Sequence, residues 1–247
     1  MTPPVAASST GRPVLLATLL LFLPALAPAG VSDRRVQVPV EEIRLANGIQ
    51  LLLVDRAEST TVAAGWMVRA GSADDPPQQT GISHLIEHLM FKGTESIGTR
   101  NIERESEILD RIDRVWKERR SIRGRQADAL GKKRKRLARQ AETLSRELES
   151  LQNQARELTY LGEFSLLYSE QGGTGLDANT HQDLTLYYVT LPADKLELWF
   201  WLESDRLLHS VFREFYQEVE VIHEERRLRI ESTPTGPADE ELRTLFW

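Results

Sequence analysis

Two imidazoles and a carboxylate lie within five residues at His84-Leu85-Ile86-Glu87-His88. On a helix, residues four apart sit one above the other, so His84 and His88 can chelate one ion while Glu87 projects toward the same side. Neutral imidazole suits zinc, and a catalytic zinc usually takes three protein ligands and keeps one position for water. The order H-x-x-E-H reverses the commoner H-E-x-x-H of zinc peptidases. The bland alternative is two surface histidines beside a glutamate. A third ligand has to come from elsewhere, and the stretch Glu218-Val219-Glu220-Val221-Ile222-His223-Glu224-Glu225 offers one. Read as a helix over 214–231, it carries Val221, Ile222 and Leu228 on a buried stripe that Glu218 and Glu225 share, with Glu224 nearer its edge. A carboxylate on such a stripe needs a partner. A metal or one of Arg226, Arg227 and Arg229 can supply it.

The motif needs a helix to present it. Thr80 can cap the start and Gly93 can stop it, with Ile82, Leu85, Ile86, Leu89 and Met90 as the stripe facing the core. Upstream, strands are expected over 38–45 and 49–54 around a tight Asn47-Gly48 turn, then over 62–70, followed by a polar loop over 74–79. Downstream, a strand over 184–191 and a helix over 194–210 precede the Glu225 helix. This pattern predicts an α+β fold, a largely antiparallel sheet with helices packed on one face.

Between these parts lies a stretch of different composition. Leu137, Ala141, Leu144, Leu148, Leu151, Ala155 and Leu158 step by fours and threes, a heptad seam, and Ile108, Leu109, Ile112, Val115 and Trp116 offer a facing stripe. Gly124 and Gly131 bracket a reversal. The expectation is an antiparallel coiled-coil hairpin over 105–160 that buries its own apolar face. Residues 119–139 hold ten Lys or Arg against one acid, Asp128. Such a cluster attracts an anionic surface, or simply keeps a protruding tip soluble. No aromatic residue interleaves with it, and the whole chain carries a net charge of −6, so no specific nucleic-acid binding is expected.

The N-terminus has the plan of a signal peptide over 1–29. Arg12 precedes an apolar run over 14–26, and Ala27-Pro28-Ala29 offers a cleavage site. An uncleaved membrane anchor is the alternative. Cysteine is absent, so no disulfide framework supports the fold.

The stretch from Gly81 through His84-Leu85-Ile86-Glu87-His88 to Phe91-Lys92-Gly93-Thr94 resembles the signature of the pitrilysin, insulinase and mitochondrial processing peptidase family. Similarity extends through Met67 to Pro76, Gly172-Gly173, Asp177-Ala178-Asn179-Thr180, Thr185 to Tyr188, Leu202 to Arg206, and the Glu218 to Arg227 segment. The resemblance implies a zinc endopeptidase acting on peptides or unfolded polypeptides. One zinc per chain would be held by His84, His88 and Glu225, with Glu87 as base and Glu218 as an acidic support. Asp177, Ala178, Asn179 and Thr180 would form an edge strand for substrate docking, with Asp177 where the family usually has Asn and backbone pairing at Ala178 retained. The separation of His88 from Glu225 exceeds the family's usual spacing by about the length of the hairpin, which is therefore expected to be an insertion. The resemblance further implies a peptidase domain over 30–247 lacking its C-terminal part, a facing half or homologous partner subunit, and a bacterial periplasmic location. Two other readings are a non-catalytic partner subunit and a scaffold for the basic hairpin.

Overall fold

A computed structural model describes residues 38–247, so the leader expected over 1–29 lies outside the described residues. Two compact units divide between Arg56 and Ala57. In the first, β1 (Glu41–Arg44) pairs antiparallel with β2 (Gln50–Leu53), Glu41 opposite Leu53 and Arg44 opposite Gln50. The turn is one residue longer than a two-residue Asn-Gly turn. The Gly48 amide donates to the Leu45 carbonyl at 3.0 Å, and Gly48 takes φ +92°, the left-handed position that closes a three-residue hairpin loop.

The second unit is built on a three-stranded antiparallel sheet in the order β3 (Thr61–Val68), β5 (Thr185–Pro192), β4 (Thr174–Thr180). Alternation decides which face is covered. Tyr187, Val189 and Leu191 of β5 are buried, and they pack with Ile97, with Phe164 and Tyr168 of α4 (Glu163–Glu170), and with Trp199 and Leu202 of α5 (Leu196–His209). Trp66 of β3 sits opposite Tyr187 and stacks on it at 4.1 Å between ring centroids. The fold is α+β, as the pattern of elements predicts. The sequence reading omitted α4 and the last helix, α7 (Gly236–Phe246).

The long helices are α2 (Ile102–Ala127) and α3 (Gly131–Leu158). Ile122 packs with Leu137 and Ala141 near the reversal, while Ile108 and Ile112 pack with Leu148, Leu151 and Ala155 at the other end. Early residues therefore meet late ones, and the pair is antiparallel along the predicted seam. Two details differ from expectation. The reversal occupies Asp128 to Leu130, so Gly124 lies inside α2 rather than at its boundary. The base of the seam is not self-contained: Tyr216 joins its cluster, its ring 4.4 Å from that of Trp116, and its hydroxyl donates to Asp113 at 2.5 Å. Arg100 also donates its amide to the Leu158 carbonyl at 2.7 Å, closing the hairpin's neck.

Candidate metal centre

Helix α1 (Ile82–Leu89) carries the motif, but its start is built differently from the sequence expectation. Thr80 makes no cap. Gly81 occupies the cap position at φ +93°, and the carboxylate of Asp75 reaches in from the preceding loop to accept the amides of Gly81 at 2.6 Å and Ser83 at 3.0 Å. Those donors have no partner inside the helix, and an anion at the N-terminus also complements the helix dipole. The loop is in turn fixed to the β4–β5 connection, where Ser72 and Ala73 donate to the carbonyls of His181 and Gln182. A side chain at Gly71 would meet the His181 carbonyl oxygen at 2.3 Å, so only glycine permits this approach. Of the predicted core stripe, Leu89 and Met90 are buried and Leu85 partly so, whereas Ile82 and Ile86 are exposed.

The facing helix is α6 (Phe215–Arg226), continued by a π-helical turn over Arg227–Glu231. Its inward residues are Glu218, Ile222 and Glu225, at a spacing of four and three. Val221 and Leu228 are exposed, contrary to the expected stripe. The helix rotates its carboxylates toward α1 and leaves those two apolar residues outside.

Across this contact one atom each of His84, His88 and Glu225 lie within 4.8 Å of one another. His84 Nε2 is 3.8 Å from Glu225 Oε2, and His88 Nε2 is 3.8 Å from Glu225 Oε1. A tetrahedral zinc with bonds of about 2.1 Å spaces its ligand atoms about 3.4 Å apart, so only a small contraction separates this arrangement from a site. Glu225 Oε2 is buried without a hydrogen-bond donor. Arg229 approaches it to 3.3 Å, but from a largely exposed position and without hydrogen-bond geometry. A buried carboxylate oxygen so poorly compensated fits a cation that belongs there. Burial, and then the neighbouring His88, lowers the pKa of His84, which favours the neutral imidazole that can bind metal.

His88 Nδ1 lies 3.1 Å from Glu218 Oε2. With that nitrogen donating, the lone pair of Nε2 is directed at the centre, the usual support of a ligating histidine. Burial would raise the Glu218 pKa, but Lys92 and His88 outweigh it and hold the carboxylate below its ordinary range. Lys92 Nζ is 2.6 Å from Glu218 Oε1 and 3.2 Å from Glu214 Oε2. Burial opposes its charge, yet the two carboxylates raise its pKa. Lys92 and Glu214 escaped the sequence reading because the ion pairs cross more than a hundred residues.

The fourth motif residue, Glu87, stands apart from the three. Thr180, the last residue of β4, donates its hydroxyl to Glu87 Oε2. The strand assigned to substrate docking thereby touches the assigned base. It is an edge strand of its sheet, and it contains Asp177, Ala178 and Asn179 as expected. The Ala178 amide, however, is taken by Asp177 Oδ1 at 2.9 Å, and Asp177 Oδ2 accepts from the Tyr188 hydroxyl at 3.2 Å. The carboxylate at 177 therefore covers the donor on which backbone pairing was expected to rest.

Comparison with known proteins agrees with the signature. Residues 50–110 match the Insulinase (Peptidase family M16) family. The chain is 38% identical over 66 residues to the uncharacterized zinc protease YmxG of Bacillus subtilis, covering 27% of this chain and 15% of that protein. It is 39% identical over 59 residues to the insulin-degrading enzyme of Homo sapiens, covering 24% of this chain and 6% of the enzyme. A crystal structure of a protease from Helicobacter pylori superimposes with a TM-score of 0.52 at 20% identity, over 80% of this chain and 33% of that one. This last likeness establishes the fold. The matched segments are thus small fractions of the relatives' own lengths.

Proposed function

We propose that this chain, a member of peptidase family M16 by its residues 50–110, is the zinc-bearing part of a metalloendopeptidase that cleaves peptides or unfolded polypeptides. The observation carrying this reading is the convergence of His84, His88 and the poorly compensated Glu225 carboxylate from two facing helices. His84 Nε2, His88 Nε2 and a Glu225 oxygen would hold one zinc, and Glu218 would orient His88. When bound, zinc supplies a Lewis acid that polarises the scissile carbonyl and acidifies water. Glu87 is the general base: its carboxylate takes the proton of the attacking water and returns it to the leaving amine. Thr180 holds Glu87 in place through Oε2. A peptide would lie along β4 as an added strand, displacing the Asp177 carboxylate from the Ala178 amide as it pairs.

Catalysis also requires the substrate to be held against the site, and orientation accounts for up to about 7–11 kcal/mol of barrier in favourable cases. We assign that part to a facing half or homologous partner subunit. Export across a membrane, with a periplasmic location, remains our reading of the leader. A non-catalytic subunit would not need all four motif residues in place.

The test is hydrolysis of an unfolded peptide of about thirty residues by this chain supplied with its facing half. Chelator should abolish turnover. Glu87→Gln should lower kcat at least a hundredfold, the scale of a lost general base, while zinc content stays unchanged. Undiminished turnover in Glu87→Gln would remove Glu87 as base.

A further inference from the structure

The hairpin tip carries a surface that the peptidase reading does not use. Helix α2 contacts α6 at Trp116, and the reversal begins at Asp128, so the tip stands about 18 Å beyond that contact at 1.5 Å per residue. Of its ten cations, nine are exposed: Arg120, Arg123, Arg125, the run over 132–136, and Arg139. Arg119 is the exception, half-buried and directed at the Ser145 hydroxyl. Among the described residues no ion pair engages any of the nine, although the same hairpin forms pairs farther down, at Arg111–Glu147 and Lys117–Asp113. A net charge of +9 is thus concentrated on one end of a chain whose total is −6.

A second observation separates this tip from a merely solvated one. The reversal is ordered by Ile122, Ala129, Leu137 and Ala141, which are all buried. Leu130, between buried Ala129 and Lys132, is instead 83% exposed at the apex. An aliphatic side chain held outward inside a ring of cations matches the layering of a bilayer surface, with phosphates outside and acyl chains beneath. A nucleic acid has charge complementarity to offer but no place for Leu130, and the tip has no aromatic ring for base stacking.

We propose that the hairpin tip docks on an anionic phospholipid bilayer, its cations on headgroup phosphates and Leu130 inserted at the acyl boundary. The inference is independent of the zinc site. The hairpin then acts as a stalk that holds the rest of the unit at a fixed distance from the bilayer.

Co-sedimentation of the full chain with vesicles tests it, comparing phosphatidylcholine alone with phosphatidylcholine containing about 30% phosphatidylglycerol. The N-terminal 37 residues are common to all variants, so the readout is the difference between variants. Lys132→Gln, Lys133→Gln, Arg134→Gln, Lys135→Gln and Arg136→Gln combined should weaken partitioning to anionic vesicles about a hundredfold or more, and raising salt from about 50 to 300 mM should weaken wild type similarly. Leu130→Ser should weaken it roughly three- to tenfold at either salt concentration, with unchanged circular dichroism in both variants. Equal partitioning of wild type and the five-site variant overturns the proposal. So does a preference of wild type for a DNA duplex over anionic vesicles at equal phosphate, unaffected by Leu130→Ser.

Discussion

Carboxylates are buried in two ways in this molecule, and the contrast separates architecture from site. Glu203 accepts from Trp66 Nε1 at 2.6 Å, from Arg206 Nε at 2.8 Å and from the Tyr168 hydroxyl, while Arg206 is itself surrounded by the rings of Trp66, Phe91, Phe164 and Tyr187. Glu105 is fully buried against Arg213, which also donates to the carbonyls of Lys92, Thr94 and Ile97. That second pair fastens the foot of α2 to the loop that follows α1. Gly93 turns that loop at φ +97°, and a side chain there would strike the Ile97 carbonyl oxygen at 2.4 Å. Both glutamates are saturated by donors that never leave. Glu225 faces two imidazoles across 3.8 Å and retains an oxygen without a donor. A protein that can satisfy a buried carboxylate so completely elsewhere has left this one open, which is the condition of a ligand.

The largest effect expected from this contrast lies at the saturated pair. Arg213→Met should destabilise the chain by about 3–5 kcal/mol in urea unfolding, because Glu105 is left buried and alone. Adding Glu105→Leu should recover at least half, since the uncompensated charge disappears. No recovery would mean that the Arg213 contacts to backbone carbonyls dominate. Glu225→Gln should behave in the opposite way. With chelator present its stability should stay within about 1 kcal/mol of wild type, because no arginine network is broken. With zinc at a hundredfold excess over Kd, wild type should gain about 2.7 kcal/mol and Glu225→Gln little or none. A smaller effect is expected at Asp205. Burial would raise its pKa, but hydrogen bonds from Thr94, Ser96 and His209 outweigh burial and lower it. The stability it contributes is therefore present above the ordinary carboxylate range and is lost as pH falls through the lowered folded value. Asp205→Asn should cost about 1–2 kcal/mol at pH 7, and the difference from wild type should shrink on acidification below the ordinary carboxylate range. A difference that persists unchanged in acid would contradict the assignment.

What could be read from sequence was what is local. The H-x-x-E-H spacing lies on one helix, and the Leu137 to Ala155 seam repeats every seven residues, so both show in periodicity alone. The Asn47-Gly48 chemistry located the first hairpin, although not its loop length. Long-range pairings left no such trace. Asp75 capping α1 could not be told from Thr80, because the choice depends on how the 71–75 loop docks on His181 and Gln182. Arg213 and Glu105 are 108 residues apart, and neither stands in an apolar periodic stripe that would mark it as buried. Val221 and Leu228 misled because hydrophobicity was read as inwardness. On α6 the inward face is acidic, since a site rather than a core lies beneath it. Tyr216 likewise looked like a surface aromatic until it stacked on Trp116, tying the hairpin to the site helix.

The central claim is that His84, His88 and Glu225 hold one zinc while Glu87 does not. Metal analysis of the purified chain and its variants tests it most directly. Wild type and Glu87→Gln should each carry one zinc per folded chain, and His84→Ala, His88→Ala and Glu225→Gln should each lose it. Full zinc occupancy in Glu225→Gln, with loss in Glu224→Gln or in Glu87→Gln, would contradict the claim.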